Sequence, residues 1–264
     1  MSVSKSRIWI GLAVACTLLA AGMAQAQTAL DEILKAKRVR IAIPTDFPPY
    51  GFVGVDLKPQ GLDIDMANYI ADKLGVKAEL VPVTTVNRIP YLQTKKADLV
   101  ISTLGKNAER EKVIDFTSAY SPFFIAVFGP KTVAVKTPAD LAGKSVAVTR
   151  GSVDDMELTK VAPPSAELRR FEDNNSTISA FVAGQTQLVA TSAQVASTMM
   201  SKNPQLGAEY KFLLKDSPNF IGVAKGEDAL RAKINELLAA AKANGELEKL
   251  SVKWLGRPPG DLPQ

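Results

Sequence analysis

Histidine is absent from this chain of 264 residues, and cysteine occurs once, at Cys16. The missing histidines exclude a Ser-His-Asp triad and zinc sites of the usual kind. Because Cys16 lies in the N-terminal leader described below, the remainder of the chain has no disulfide and no thiol nucleophile. Any catalysis would have to use carboxylates, lysine, tyrosine or arginine. We therefore predict no catalytic residue, no metal site and no cofactor.

Charge of one sign is not concentrated in the sequence. There are 32 Lys and Arg against 27 Asp and Glu, a formal net charge of +5. The densest basic cluster, within residues 35–40, lies where a short predicted helix meets a strand. It lacks the interleaved aromatic residues that are typical of nucleic-acid surfaces. We predict that the protein binds no nucleic acid.

The first 26 residues have the pattern of an export signal. Lys5 and Arg7 precede the apolar run 8–21, and residues 24–26 form a small-x-small cleavage site. An uncleaved anchor is the alternative, since the apolar run can be extended almost to membrane-spanning length. We expect cleavage after Ala26 and a periplasmic location.

Strand-like and helix-like segments alternate along residues 27–264, which predicts α/β layers with largely parallel sheets. A strand at 39–43 stops at Pro44, and a helix begins at Asp63 and ends at Gly75. No single flexible linker is visible, which favours two lobes between which the chain crosses more than once. Further predicted strands lie at 76–83, 97–102, 123–128, 145–149, 188–190 and 220–224.

Several short motifs follow one another through this region. They are Thr45-Asp46-Phe47-Pro48-Pro49-Tyr50, Gly61-Leu62-Asp63-Ile64-Asp65, Asn87-Arg88-Ile89-Pro90-Tyr91-Leu92-Gln93, Ala97-Asp98-Leu99-Val100-Ile101-Ser102, Asp115-Phe116-Thr117, Asp140-Leu141-Ala142-Gly143-Lys144, Gly151-Ser152 and Lys253-Trp254-Leu255-Gly256. Each motif is weak alone. Their order and spacing resemble the family 3 periplasmic solute-binding proteins of bacterial amino-acid ABC transporters, and the resemblance covers nearly the whole mature chain.

The resemblance implies the type II periplasmic binding-protein fold, in which two Rossmann-like α/β lobes are joined by two hinge strands. It implies a first lobe of residues 27–119 and 221–264, a second lobe of 125–215, and hinges near 120–124 and 216–220. It also implies a monomer that closes around a small carboxylate, such as an amino acid, and delivers it to the membrane permease of an ABC transporter.

Arg110 occupies the position where this family has the arginine that binds the ligand's α-carboxylate. A planar guanidinium suits this role because it can donate to both carboxylate oxygens at once. The alternative is a surface arginine that pairs with Glu109 or Glu111. The family motif favours the functional interpretation.

Arg88 is a second candidate cation. It follows a predicted strand end, which is where ligands meet open α/β sheets. The same Asn-Arg-Ile-Pro run occurs in relatives that bind glutamate and aspartate, so Arg88 would suit a second ligand carboxylate. The alternative, an exposed arginine at a helix start, stays open. Thr85 replaces an aromatic residue of several relatives and predicts a more polar pocket wall.

Ser102, Thr103 and Gly105 lie in the segment where the family supplies hydroxyl and backbone groups to the ligand. Gly105 stands where many relatives have threonine, so one hydroxyl is lost, while glycine allows close approach. Ser102 and Thr103 could equally be ordinary residues of a strand end.

The loop after the first strand supplies three further candidates. Phe47 and Tyr50 would form an apolar wall of the pocket, although Tyr50 could instead fill the core of the first lobe. Asp46 could meet an ammonium group or cap the turn before two prolines.

In the second lobe, Gly151 and Ser152 precede a predicted helix and would offer N–H groups and a hydroxyl to an anion, with Thr149 beside them. Ser152 and Asp155 also fit an ordinary capping box. Both interpretations can hold together.

This chain differs from the family at the residue that binds the ligand's amine. Relatives have an aspartate after the strand near residues 188–190, whereas this chain has Ser192, which cannot neutralise a buried ammonium. Either Asp46, Asp154 or Asp155 compensates, or the ligand is an amine-free carboxylate.

Two other functions remain alternatives. Cyclohexadienyl dehydratases share this architecture, and such an enzyme would need a buried acid, for which Glu172 and Asp173 are the nearest candidates in sequence. A binding protein that serves a chemoreceptor or sensor kinase is the other alternative.

Overall fold

The computed structural model describes residues 28–263. The predicted export signal and its cleavage site lie outside this range. Within it, no helix has the length and apolar character needed to span a bilayer.

The described chain alternates between helices and strands in the following order. It runs through α1 (Ala29–Ala36), β1 (Arg38–Ile43), β2 (Asp46–Phe47), β3 (Gly51–Val53), β4 (Pro59–Gln60), α2 (Leu62–Leu74), β5 (Lys77–Pro82), α3 (Arg88–Gln93), β6 (Leu99–Gly105), α4 (Ala108–Glu111), β7 (Ile114–Ser121), β8 (Phe124–Pro130), β9 (Ser145–Thr149), α5 (Val153–Val161), β10 (Glu167–Phe171), α6 (Asn174–Val182), β11 (Leu188–Ser192), α7 (Ala193–Lys202), β12 (Ala208–Asp216), β13 (Asn219–Ala224), α8 (Asp228–Ala243) and α9 (Glu246–Leu255).

Two five-stranded sheets organise these elements. The first has the strand order β5-β1-β6-β13-β7, and the second has the order β10-β9-β11-β8-β12. In the first sheet only β13 runs against its neighbours, and in the second only β8 does. Each reversed strand is the first one after the chain has crossed from the other sheet.

The chain crosses between the sheets twice. It leaves the first sheet at residues 122–123, between β7 and β8, and returns at 217–218, between β12 and β13. The two crossings lie side by side, because the Ser217 N–H donates to the Phe123 carbonyl at 2.8 Å. The ends of the adjoining strands β7 and β13 are also joined, because Asn219 Nδ2 donates to Ser121 Oγ at 3.0 Å.

Both faces of the first sheet are covered, which is why its central strands are almost continuously apolar. Helices α2, α8 and α9 pack on one face, where Ile41, Ile101 and Ile221 are fully buried. Helix α3 covers the other face through Leu92. The second sheet is covered in the same way by α5 on one side and by α6 and α7 on the other.

Local sequence signals set the helix ends. Thr28 and Asp31 form a capping box at the start of α1. Helix α2 ends at Gly75, which has a φ of 67° and donates to the carbonyls of Ala71 and Asp72. Glycine adopts this left-handed conformation without steric cost, so it stops the helix where the sequence predicts.

Candidate ligand-binding cleft

A cleft opens between the two sheets, beside the C-terminal ends of the strands. It contains a cavity of about 320 Å³ whose walls include Thr85, Arg88 and Arg110 from one side and Gly151 and Met156 from the other. Ligands of open α/β sheets bind at this edge. Among residues 28–263, no three His, Cys, Asp or Glu side chains converge in the way a metal site needs.

Arg110 lies in this cleft and not on the surface. Its side chain is buried on α4, where Nη1 donates to the Gly105 carbonyl at 2.7 Å and Nη2 to the Gly151 carbonyl at 3.2 Å. The second bond crosses between the lobes. Burial, reinforced by the positive charge of Arg88, lowers the pKa of Arg110 to about 10. Its neighbours Glu109 and Glu111 pair elsewhere, with Lys112 and Lys106.

Arg88 is buried as well, which excludes the exposed alternative. Its Nε donates to Ser102 Oγ at 3.1 Å and its Nη2 to Thr103 Oγ1 at 3.3 Å. Two hydroxyls at the end of β6 therefore orient this guanidinium. Within residues 28–263, neither Arg88 nor Arg110 has a carboxylate oxygen within 4.0 Å. The cleft thus holds two buried cations that no protein carboxylate neutralises at ion-pair distance.

A buried carboxylate, that of Asp63, is connected to Arg88 through Thr103. Asp63 accepts hydrogen bonds from the Thr103 N–H at 2.9 Å and from Tyr120 Oη at 2.7 Å. Burial raises the pKa of Asp63 to about 7, although these two donors and the charge of Arg88 oppose the shift. Thr103 has a φ of 43°, an unfavourable conformation for a β-branched residue, and its bond to Asp63 helps to hold it.

Gly105 is the point where β6 meets the second lobe. A Cβ atom at this position would lie 2.7 Å from Val153 Cγ2 and 2.7 Å from Ser217 Oγ. Both distances are too short for real side chains. Glycine here allows close approach, as the sequence predicts, but the group that approaches in this structure is Val153 from α5.

Asp46 contacts the second lobe directly. Its Oδ2 accepts from the Asn174 backbone N–H at 2.8 Å, and its Oδ1 accepts from Asn174 Nδ2 at 3.0 Å. Asn174 is the first residue of α6, so the carboxylate also lies at the positive end of that helix. Both oxygens of Asp46 are therefore used in a contact between the lobes. The sequence predicts instead that Asp46 caps a turn or binds an ammonium group.

Phe47 and Tyr50 form an aromatic cluster with Phe123 at the first crossing. The ring centroids of Phe47 and Tyr50 are 5.9 Å apart, and Phe123 lies 6.2 Å and 5.3 Å from them. Tyr50 Oη lies 3.2 Å from Gln194 Oε1 on α7 and 3.3 Å from the Pro122 carbonyl. Burial raises the pKa of Tyr50 well above its usual range, so the phenol stays neutral.

The start of α5 serves mainly as a helix cap. Ser152 Oγ accepts from the Asp155 N–H at 3.0 Å, and Asp155 Oδ2 accepts from the Gly151 N–H at 3.0 Å. The Ser152 N–H donates to the Thr149 carbonyl at 3.2 Å. Thr149 Oγ1 lies 2.9 Å from Asn174 Oδ1. The capping interpretation is therefore realised, and the two N–H groups expected to meet an anion have partners within the protein.

The hydroxyl of Ser192 has a hydrogen-bond partner in the protein, whereas the hydroxyl of Thr85 has none within residues 28–263. Ser192 Oγ accepts from the Val195 N–H at 3.1 Å and caps α7. Thr85 lines the cavity, is 6% exposed, and its Oγ1 has no hydrogen-bond partner within residues 28–263. A buried hydroxyl without a partner is uncommon and is available to a ligand.

The sequence patterns do not mark three buried polar residues that shape this cleft, namely Asp63, Tyr120 and Asn174. Asp63 looks like an ordinary acidic residue of a first helical turn, and Tyr120 like an apolar residue of a strand. Asn174 lies in a polar run that resembles a loop. Their partners are 57 and 128 residues away in the chain, so only the tertiary structure reveals them.

Comparison with protein families gives one match that covers most of the chain. Residues 39–257 match the bacterial extracellular solute-binding proteins, family 3. The ABC transporter glutamine-binding protein GlnH of Bacillus subtilis (strain 168) is 30% identical over 206 residues, which are 76% of this chain and 75% of that protein.

Solved structures of similar fold include a mutant of ArgBP from T. maritima, with a TM-score of 0.81 and 31% identity, covering 87% of this chain and all of that one. The ancestral amino acid-binding protein AncCDT-1, a precursor of cyclohexadienyl dehydratase, has a TM-score of 0.79 and 31% identity, covering 86% of this chain and 99% of that one. These likenesses confirm the expected two-lobe α/β fold.

Proposed function

Because the chain belongs to the bacterial extracellular solute-binding proteins, family 3, we propose that it is the periplasmic substrate-binding component of an ABC-type uptake system. It binds a small carboxylate, best an acidic amino acid, in the cleft between its lobes. The segments 122–123 and 217–218 are the hinges about which the lobes close. The closed form then delivers the ligand to a membrane permease.

The pair of buried guanidiniums of Arg88 and Arg110 carries this proposal. A buried charge without a counter-ion is costly, and the cost is lowest when an anion with matching hydrogen-bond acceptors enters the site. Each guanidinium keeps N–H groups beyond those that bond to the protein. A ligand with two carboxylates would neutralise both cations.

The two cations have different surroundings, which supports different roles. Arg110 bonds to backbone carbonyls of both lobes, so it is suited to the α-carboxylate that every amino acid has. Arg88 is held by Ser102 and Thr103 within the first lobe, so it is suited to a side-chain carboxylate. Thr85, with its unpartnered hydroxyl, adds a polar contact on the same wall of the cavity.

An enzymatic function on the same fold has less support. Glu172 and Asp173 are the nearest candidates in sequence for the buried acid that the dehydratase alternative needs. The Glu172 side chain is 71% exposed and pairs with Arg150, while Asp173 caps α6 through the Ser176 N–H. Neither has the buried surroundings that tune a carboxyl group to donate a proton. The relative AncCDT-1 is itself described as an amino acid-binding protein.

A thermal-shift screen of residues 27–264 tests the proposal. The compounds are the twenty amino acids, succinate, glutarate and prephenate. A ligand that binds only the folded state raises the melting temperature, by an amount set by its concentration relative to Kd. We expect L-glutamate or L-aspartate to give the largest shift. A shift with basic or apolar amino acids alone would contradict the two-carboxylate site, and turnover of prephenate would establish the enzymatic alternative.

A further inference from the structure

Asp154 is a buried carboxylate with an unused oxygen. It lies in the first turn of α5, is 7% exposed, and its Oδ1 has no hydrogen-bond partner within residues 28–263. Nearly all buried polar atoms in proteins have a partner, and those that lack one call for an explanation. A carboxylate oxygen can only be satisfied by a donor or a cation.

The first turn of α5 faces the first lobe across the cleft. Val153, the residue before Asp154, lies against Gly105 of the first lobe. The Gly151 carbonyl, just before the helix, accepts a hydrogen bond from Arg110. The charge of Asp154 acts on Arg88, Arg110 and Tyr50, which all belong to the opposite wall. Asp154 therefore lies on the second-lobe side, close enough to both arginines for its charge to act on them, but more than 4.0 Å from either guanidinium.

The other acids near the cleft already have partners. Asp46 uses both oxygens for Asn174. Asp155 accepts from the Gly151 N–H and pairs with Arg170 at 2.7 Å. Asp63 accepts from Thr103 and Tyr120. Of these four buried or half-buried carboxylates, Asp154 is the one with an unsatisfied buried oxygen.

We propose that Asp154 binds the ammonium group of the ligand, in place of the acid that is missing at Ser192. This inference rests on the proposed function and deepens it, because it makes the ligand an amino acid and excludes amine-free dicarboxylates as the preferred class. An acidic amino acid then brings two carboxylates to Arg88 and Arg110 and one ammonium to Asp154, so each of these three buried groups gains a partner of opposite charge.

The titration of Asp154 gives this assignment a pH signature. Burial raises its pKa to about 6, although its own backbone N–H, the Ser152 side chain and the charges of Arg88 and Arg110 oppose the shift. An ammonium group interacts favourably only with the ionised form. L-glutamate keeps both carboxylates mostly ionised at pH 5, whereas Asp154 is then about nine-tenths protonated. The affinity of the protein for L-glutamate should therefore be about tenfold lower at pH 5 than at pH 7.5.

Isothermal titration of L-glutamate and glutarate tests the assignment, because these two acids differ only by the amine. Both are titrated at pH 7.5 into the wild type, Asp154→Asn and Glu157→Gln. Glu157 is on the same helix and pairs with Lys160 and Lys215, so the last variant removes an equal charge away from the cleft. We expect the wild type to prefer L-glutamate by at least about tenfold, and Asp154→Asn alone to lose most of that preference.

The outcomes separate this inference from the proposed function. Retention of the L-glutamate preference in Asp154→Asn, or equal affinity of the wild type for both acids, would overturn the role of Asp154 and leave the carboxylate site intact. Binding of neither acid by the wild type would overturn the proposed function and the inference with it. An L-glutamate affinity that does not fall at pH 5 would also contradict the assignment.

Discussion

A buried guanidinium without a carboxylate partner remains charged only when hydrogen-bond acceptors replace its water. Arg110 obtains two carbonyls and Arg88 obtains two hydroxyls. These acceptors orient the cations but leave their charge largely uncompensated. At the residue scale, the cleft is thus arranged to gain most from an anion.

Replacement of Arg110 by methionine should weaken carboxylate binding by at least about thirtyfold. The change removes a charged donor from a buried pair, a loss of about 2 kcal/mol or more. Titration calorimetry measures the affinity, and urea unfolding checks that the variant is folded. Arg169→Met is the matched control, because Arg169 is half-exposed and pairs with Glu167 on β10. An unchanged affinity in Arg110→Met would remove this residue from the site.

Replacement of Arg88 by methionine should discriminate between ligands. If Arg88 meets a side-chain carboxylate, the variant loses about tenfold or more affinity for L-glutamate and much less for L-glutamine, because only the former has a second carboxylate. The ratio of the two affinities, measured by titration calorimetry, is the readout. A loss of the same size for both amino acids would assign Arg88 to the α-carboxylate or to the structure of the cleft wall.

At the scale of elements, the sequence reveals strands with continuous apolar runs, such as β1, β6, β9 and β13, and also β5, which is partly exposed. The sequence does not reveal β7, β10 and β12, because polar and charged residues alternate along them and hide the apolar pattern. The sequence does not reveal helix α6 either, since Asn174 and Ser176 have low helix propensity and the helix is stabilised by the Asp173 cap and by packing.

The same limit applies to the cleft. The motifs point to Arg88, Arg110 and the segment Ser102 to Gly105, because each lies at or just after a strand end. They cannot show that Asp46 reaches Asn174, or that the first turn of α5 lies against β6. Such contacts depend on how the two sheets are arranged relative to each other, and this arrangement cannot be predicted from local sequence patterns.

Gly105→Ala should impair closure without unfolding either lobe. The new Cβ would lie 2.7 Å from Val153 Cγ2 on α5 and 2.7 Å from Ser217 Oγ at the second crossing, so it clashes where both segments meet β6. We expect ligand affinity to fall about tenfold or more, since overpacking costs about 1–3 kcal/mol. A second substitution, Val153→Ala, should restore part of the affinity, and failure to do so would mean that the alanine acts elsewhere.

At the scale of the whole molecule, the interlobe bonds of Asp46 to Asn174 determine how long the protein stays closed. Asp46→Ala removes two hydrogen bonds and a charge at the start of α6, so it should favour opening by about 1–2 kcal/mol. Because the bonds join the two lobes, the effect should appear mainly as a faster dissociation rate in stopped-flow fluorescence. A slower association rate with unchanged dissociation would contradict a role in the closed state.

The complete absence of histidine makes the pH dependence of stability unusually simple. Burial raises the pKa of Asp63 to about 7 and that of Asp154 to about 6, above the value of an unfolded chain. The folded state therefore binds more protons than the unfolded state between these values and pH 4. Stability from these groups is fully present at low pH and is lost as the pH rises through 6 and 7.

Urea unfolding of the ligand-free protein at pH 4.5, 6.0 and 7.5 measures this loss. Asp154→Asn should reduce the fall in unfolding free energy between pH 4.5 and 7.5 by about 2 kcal/mol, because the amide does not titrate. Glu157 has a lowered pKa from its bonds to Lys160 and Lys215, and its stabilising effect is complete by pH 5. Glu157→Gln should therefore change the fall by less than about 0.5 kcal/mol. A wild-type profile flat across this range would mean that Asp63 and Asp154 remain hydrated in solution, with the lobes apart when no ligand is bound.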